Sequence, residues 1–459
     1  MRKRYQSFAD SEVERLDDRV SIMSSNQNVD FAPPRGMRDI TPEEMRKRIF
    51  VNRKIESVLS LFGYELVEPT HVERIETIFA KAGPEIEKEI YAFDDKGGRR
   101  LGLRFDLTVG MARMVATNPD WPKPLRIAAI SNIWRYDQPQ YGRYRSVEQW
   151  DVELFGSTDP ASDAEMVELT AAVMDSLKFD DYSILVNDRQ LVDTFLEDLG
   201  FEGDHAEVLR IMDKRDKITK DQMTRMLADI GLDDPQIDSI FEFSSRKGGI
   251  FEVADYLKDQ SSFNRCPGVE RMEGIGAVLE ETIGLDKVEF DLSLVRGLDY
   301  YTGFVFECFD PDDVSLGSVL GGGRFDELVG IYGRPCPAVG CAGGIARLIM
   351  ALENKGLLPN EISPGAEVLV APVTEGEMPM AMKVARRLRT SGVSAVVDVM
   401  GRSLGNSLDF ANRKGHPFVV IVGSRDLSQG KVTVRNMESG DETLIEVEKV
   451  AEPLFKGQS

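Results

Sequence analysis

The sequence predicts an α+β fold: a body built on an antiparallel sheet, interrupted by a helical insertion and followed by a small C-terminal α/β domain. Three observations predict it. Residues 125–137 and 147–155 alternate with period two on either side of a Pro-Gln-Tyr-Gly turn, as the strands of a hairpin do. Residues 200 to 285 are highly charged and helical in period. A linker at 357–366 (LLPNEISPGA) then leads into strand and helix patterns in the order βαβαββ.

The elements follow in chain order. Residues 1–30 are polar, without periodicity, and read as a mobile arm or a loosely docked helix. Thr41, Pro42 and Glu44 form a capping box with proline at the first helical position. The helix they start carries Val51, Ile55, Val58, Leu59 and Phe62 on one face, and Gly63 ends it. YELVEP (64–69) reads as a strand stopping at Pro69. Residues 103–108 read as a strand with Arg104, Asp106 and Thr108 on one face. After the hairpin, 161–178 is expected to be helical and YSILVND (182–188) a strand. Strand signals return at 288–310 and 315–321, and a helix is expected from about 344 to 354. In SVLGGGRFDELVG (318–330) a strand, a triple glycine and a helix follow one another. The expected division is 1–30, 31–200, 201–285, 286–356, 357–366 and 367–459, with the body split by the helical insertion.

Composition excludes several classes. The 459 residues carry a formal net charge of -22, so nucleic acid is not bound through a global basic field. From 366 to 459 there are 12 Lys+Arg and 12 Asp+Glu, so the charge sits on the body. No run approaches the roughly 20 apolar residues of a membrane helix. The cysteines (266, 308, 336, 341) form no CxxC pair and suggest a reduced, cytoplasmic chain. His71, His205 and His416 stand too far apart for a helical metal motif, so no metal held in a protein cage is expected. The P-loop pattern GxxxxGK[ST] is absent, so a nucleotide site must be built from strand-borne groups.

WRYDQPQYGRYRS (134–146) places Arg135, Arg143 and Arg145 at the hairpin, with no lysine. On the second strand Gln149, Asp151 and Glu153 share one face, while Trp150, Val152 and Leu154 share the other. Gln149 and Glu153 are then about 13 Å apart. Mixed arginines and short acids suit a ligand face better than a plain solvated one. LVRGLDYYTGFVFE (294–307) adds Arg296, Tyr300 and Tyr301, and VGCAGGIARLIMALE (339–353) puts Arg347 in the first turns of a helix, where it can hold phosphate.

These stretches resemble the histidyl-tRNA synthetases, a family of class II aminoacyl-tRNA synthetases. The resemblance covers about residues 31–445: RGMRDITP, a motif 1-like helix and strand, a motif 2-like Arg126–Glu153, LVRGLDYYTG, LGGGRFDELV, and a motif 3-like GCAGGIARL. It implies a class II catalytic core, an anticodon-binding domain at 367–459, and ATP-dependent attachment of L-histidine to tRNA(His) through histidyl-adenylate by a cytoplasmic homodimer. Residue by residue it implies Arg135 on the ATP α-phosphate, with Asp137 beside it, and Arg143 and Arg347 at the β/γ end. Arg296 would stand between the α-phosphate and the substrate carboxylate. Asp106, Thr108 and Gln149 would take the α-amino group, and Glu153 and Tyr301, with Tyr300 nearby, the imidazole. Mg²⁺ would arrive on the ATP phosphates. Lys214, Arg215, Lys217, Arg402, Arg413 and Lys414 are candidate tRNA contacts, together with Lys220 and Arg425. Three positions depart from the family: Val147 replaces a phenylalanine, Ala346 a glutamate, and Asp137 a longer acid. A second reading is a non-catalytic relative, the regulatory subunit of ATP phosphoribosyltransferase; such subunits generally lack the anticodon domain and erode the motifs, whereas this chain keeps both.

Overall fold

The structure, a computed structural model, describes residues 31–80, 89–136, 144–215, 218–295, 300–359 and 365–452. The N-terminal arm, Asp137, Arg143, Lys217 and Arg296 lie outside the described residues.

Helix α1 (Pro42–Leu61) starts at the expected capping box: Thr41 accepts the Glu44 amide and Glu44 reaches back to the Thr41 amide. Its Val51, Ile55, Val58 and Leu59 are buried, and Gly63 leaves it with φ +75°. YELVEP yields only a short strand, β1 (Glu65–Leu66). Then come β2 (Val72–Arg74), α2 (Ile75–Phe79), β3 (Ala92–Asp94) and β4 (Arg100–Leu103).

Residues 103–108 are not a strand. β4 ends at Leu103, and α3 (Thr108–Thr117) begins where Asp106 accepts the Val109 amide at 3.0 Å. Arg104 consequently leaves the face of Asp106 and Thr108. Buried to 3 % exposure, it donates to Glu68 at 2.8 Å and to the carbonyls of Pro69 and Asn132 at 2.5 and 2.9 Å. It is a structural clamp.

The hairpin forms as β5 (Leu125–Trp134) and β6 (Ser146–Phe155), paired antiparallel from Leu125↔Phe155 to Trp134↔Ser146. After it come α4 (Pro160–Ser176) and β7 (Ser183–Asp188). The helical stretch holds α5 (Arg189–Asp198), α6 (His205–Met212), α7 (Lys220–Asp229), α8 (Asp234–Ser244), the two-residue β8 (Lys247–Gly248), α9 (Ile250–Lys258) and α10 (Pro267–Thr282). The body closes with β9 (Val288–Asp291), β10 (Phe304–Phe309), β11 (Leu320–Arg324), α11 (Leu328–Tyr332), β12 (Ala338–Gly344) and α12 (Ile345–Asn354). The triple glycine is therefore inside a strand, not after one. A Cβ on Gly322 would lie 2.0 Å from the Gly340 carbonyl, and one on Gly323 2.6 Å from that of Phe304, so neither position tolerates a side chain.

Among the described residues these strands make one sheet in the order β1-β5-β6-β12-β11-β10-β7-β9-β8, antiparallel except where β1 joins β5 and β9 joins β7. One face packs Trp150, Val152 and Leu154 against α1, α4 and the helices α5–α10 in a single buried cluster. The other face carries Ile127, Ala129, Tyr300, Tyr301 and Phe325. A small sheet, β2-β4-β3, lies apart from it.

The C-terminal segment runs β13 (Val368–Pro372), α13 (Met378–Thr390), β14 (Ala395–Val397), α14 (Leu404–Lys414), β15 (Phe418–Val422), α15 (Ser424–Leu427), β16 (Lys431–Asn436) and β17 (Glu442–Glu446). The expected βαβαββ lacked α15 and β17. The missed strand is one whose side chains stay largely exposed, so no apolar alternation announces it. Sheet order is β14-β13-β15-β16-β17, parallel through β14, β13 and β15.

Candidate active site

A cavity of about 380 Å³ opens on the sheet face opposite Trp150. Asp106, Thr108, Arg135, Gln149, Glu153, Tyr300, Tyr301 and Arg347 all line it, from segments far apart in sequence. Alternation along β6 turns Gln149, Asp151 and Glu153 to the cavity and Trp150 to the core. Asp151 shares that face, and no role follows for it from the sequence. Glu307, Tyr144 and Cys341 were missed; each sits in a stretch whose other residues read as core or turn, and only strand pairing brings them here.

One wall is acidic. Thr108 donates to Glu153 at 2.6 Å and lies 3.5 Å from Asp151. Burial pushes Asp106 up to about 6, against the opposing Val109 amide and Arg135 charge. Burial and the neighbouring Asp106 push Asp151 up to about 8. Burial drives Glu153 well above the usual carboxylate range, opposed by the Thr108 hydrogen bond. Yet Asp106 Oδ2, Asp151 Oδ1, Glu153 Oε2 and Gln149 Oε1 are buried without a hydrogen-bond partner. Four buried acceptors without a partner, all on residues that line one cavity, suit a ligand rich in N–H donors and positive charge.

The cations come from two other elements. Arg135, just past β5, is fixed by Nε on the Phe105 carbonyl at 3.0 Å and by its amide on Arg145. Arg347 sits in the first turn of α12 and donates to the Ser318 carbonyl at 2.5 Å, beside Gly343 and Gly344. A helix N-terminus flanked by arginine suits phosphate. Among the described residues the other hairpin arginine, Arg145, packs elsewhere. Arg145 lies 3.9 Å over the Tyr136 ring, donates to the Arg35 carbonyl, and its amide meets Gly36, docking the RGMRD segment on the hairpin. Val147 lines the cavity together with the rings of Tyr144, Tyr300, Tyr301 and Phe325.

The basic candidates for tRNA are scattered. Lys214, Arg413 and Lys414 are exposed. Arg215 donates to the Ser244 carbonyl at 3.1 Å, Lys220 lies over Phe241, and Arg402 pairs with Asp398 at 2.7 Å while stacking on Phe410. The histidines gather nowhere: His71 pairs with Glu68, His205 meets the Phe201 carbonyl, and His416 that of Ala366.

Comparison with known proteins gives a consistent result. Residues 36–348 match the family model for histidyl-tRNA synthetase, and residues 367–456 match that for an anticodon binding domain. The chain is 38% identical to the histidine--tRNA ligase of Pyrococcus abyssi over 419 residues, 91% of this chain and 96% of that one. Among solved structures, the histidyl-tRNA synthetase of Nostoc sp. PCC 7120 superposes with a TM-score of 0.81 at 27% identity, covering 94% of this chain and all of that one. A Bacillus halodurans protein described as an ATP phosphoribosyltransferase regulatory subunit/histidyl-tRNA synthetase shares the fold, with a TM-score of 0.72 at 24% identity over 86% of this chain and 99% of that one.

Proposed function

The chain belongs to the histidyl-tRNA synthetase family, and from that premise we propose that it attaches L-histidine to tRNA(His) using ATP, through histidyl-adenylate. The histidine carboxylate attacks the α-phosphorus of ATP and pyrophosphate leaves. A hydroxyl at the tRNA 3′ end then attacks the histidyl carbonyl and AMP leaves. The observation that carries the reading is the set of orphaned acceptors on Asp106, Gln149, Asp151 and Glu153 in a cavity whose other wall holds Arg135 and Arg347. The anticodon-domain match and the synthetase relatives favour the enzyme over the regulatory-subunit reading.

Asp106, Thr108 and Gln149 receive the α-ammonium. Glu153 and Tyr301 take the two imidazole nitrogens, with Tyr300 packed edge-on against Tyr301. Leaving such buried groups unpaired is costly, so analogues lacking the nitrogens are rejected strongly. Arg135 faces the α-phosphate and Arg347 the far phosphates. Arg143, Arg296 and Asp137 keep the roles the resemblance implies. Fixed cations aimed at charge that grows in the transition state are the main catalytic device, and arginine's planar fork suits phosphate oxygens better than lysine. Mg²⁺ fits poorly among the orphaned oxygens, because it keeps several waters while Asp106, Asp151 and Glu153 are at most 6 % exposed. It would instead arrive with the nucleotide, and the charge it would offset is that of the phosphates. tRNA contact falls to Lys214, Arg413 and Lys414, with Arg215, Lys217 and Arg402 as further candidates. Two copies pair through the α1–β1 region, which exposes Leu61 and Leu66. Free thiols at the four cysteines accord with a cytoplasmic location.

The test is histidine-dependent ATP–pyrophosphate exchange with Mg²⁺. Folded wild-type chain is expected to exchange label only when histidine is present; its absence at saturating substrates overturns the reading.

The acidic wall adds a pH signature. Near pH 7 the ligand-free pocket holds Asp151 protonated, since its value lies near 8. A bound cation stabilises the ionised form, so binding displaces about one proton per site at pH 7. Calorimetry in two buffers of different ionisation enthalpy measures this, and Asp151→Asn is expected to cut the release by more than half. Tight binding with no proton release refutes the assignment. The same sign makes Asp151 hold its proton in the empty folded chain from about pH 4 to 8, where the unfolded chain has lost it, so this group's contribution to stability falls as pH rises across that window.

A further inference from the structure

Behind the cavity lies a second charged cluster that the reaction does not use. Asp163, on α4, is fully buried between two arginines. Arg324, at the end of β11 and 1 % exposed, grips its Oδ1 with Nε at 2.9 Å and Nη2 at 2.7 Å. Arg271, on α10 of the helical stretch, donates to its Oδ2 at 2.7 Å. The Arg271 Nε also lies 3.8 Å from Asp188 Oδ2, a fully buried oxygen without a hydrogen-bond partner. Two buried acids thus depend on two guanidiniums, one of them supplied by the helical stretch.

Each acid adjoins a hold on the segment that carries Tyr300 and Tyr301. The Arg324 carbonyl accepts the Thr302 amide at 2.8 Å. Asp326, which pairs with the Arg324 guanidinium at 3.0 Å, donates its amide to the Thr302 hydroxyl at 3.1 Å. Asp188 caps α5 through the Gln190 amide. The next residue, Arg189, donates its amide to the Gly303 carbonyl and its guanidinium to the Tyr301 carbonyl, both at 2.9 Å. Tyr301 is left no slack on the far side, since a Cβ on Gly323 would touch its ring at 2.8 Å. Burial holds Asp188 up at about 7, so the Arg271 charge bears on whether this acid is ionised.

We propose that Arg271 is a positioning residue for histidine selection: through Asp163–Arg324 and Asp188–Arg189 it fixes the Tyr300–Gly303 segment, and so the phenol of Tyr301, from the helical insertion. The inference rests on the histidine-site reading above. Removing Arg271 leaves two buried carboxylates with one cation, and the two holds on the segment relax together. At the nucleotide end Arg135 is held by the Phe105 carbonyl and Arg347 by that of Ser318, both outside this cluster.

The experiment compares Arg271→Ala, Arg271→Gln and Arg271→Lys in the full chain by ATP–pyrophosphate exchange, with KM for histidine and for ATP measured separately and melting temperatures alongside. Arg271→Ala is expected to raise the histidine KM roughly tenfold with the ATP KM within twofold, and Arg271→Lys to recover most of the loss. If the alanine variant does not fold, Arg271→Gln, which can still donate to Asp163, is expected to show the same split at smaller size. Equal changes in both KM values, a loss that only tracks melting temperature, or no change in the histidine KM each overturn the proposal while wild-type exchange stands. Wild type with neither exchange nor histidine binding overturns the functional reading and this inference with it.

Discussion

Arg135→Ala is expected to lower histidine-dependent ATP–pyrophosphate exchange by about a hundred- to a thousandfold, the usual loss when one fixed transition-state donor is removed. The guanidinium is held in place before substrate arrives, by Phe105 through Nε and by the hairpin backbone through its amide. Little reorganisation is left for the reaction itself. The same charge lowers Asp106 and Asp151 against burial. Its loss lets both carboxyls rise further, so the histidine KM is expected to climb as well. Arg135→Lys restores charge but not the fork, and recovery is expected to stay well short of wild type. Steady-state exchange with each substrate varied separately reads both effects. Alanine activity within tenfold of wild type removes Arg135 from the phosphate.

Gly340→Ala is expected to abolish histidine use although residue 340 has no functional group. β12 pairs Gly340 with Glu153 on β6. A Cβ at Gly340 would fall 1.7 Å from Glu153 Oε2 and 2.5 Å from the Val152 carbonyl. Either Glu153 leaves its position or the two central strands separate. Overpacking of this kind costs about 1–3 kcal/mol of stability, and kcat/KM for histidine is expected to fall at least about a hundredfold, as it would for Glu153→Gln. The pair separates the two consequences. In Glu153→Ala/Gly340→Ala the clash with Oε2 is gone and the one with the Val152 carbonyl stays, so melting temperature is expected to recover only in part while activity stays lost, a non-additive result. An unchanged histidine KM in Gly340→Ala places Glu153 outside the histidine site.

Much of this site was legible from local pattern. Alternation on β6 put Gln149, Asp151 and Glu153 on one face because strand geometry leaves no other choice. The capping box at Thr41 and Glu44 named the start of α1 to the residue, since both partners are three residues apart. Where pattern misled, a long-range partner had intervened. Arg104, Asp106 and Thr108 share a spacing, yet Arg104 turns to Glu68 and Pro69 once Asp106 starts a helix. The triple glycine looks like a loop until Gly340 and Phe304 are seen on either side of it. Arg324 stood in plain view in LGGGRFDELV, but nothing nearby in sequence announces that Asp163, 161 residues away, is its partner.

The sequence by itself determined the ingredients: an α+β body, a neutral C-terminal α/β segment, strand-borne arginines, and short acids on one strand face. Those follow from periodicity and residue chemistry within a few positions. Only the tertiary structure decided which arginine does which task. Arg135 and Arg347 reach the cavity, Arg145 docks an N-terminal segment, Arg104 ties Glu68 to the Pro69 carbonyl, and Arg271 and Arg324 serve buried acids. The physical reason is that a guanidinium on a long chain takes whichever carboxylate or carbonyl the fold buries beside it. That neighbour is set by strand pairing and helix packing across the whole chain, not by the residues on either side.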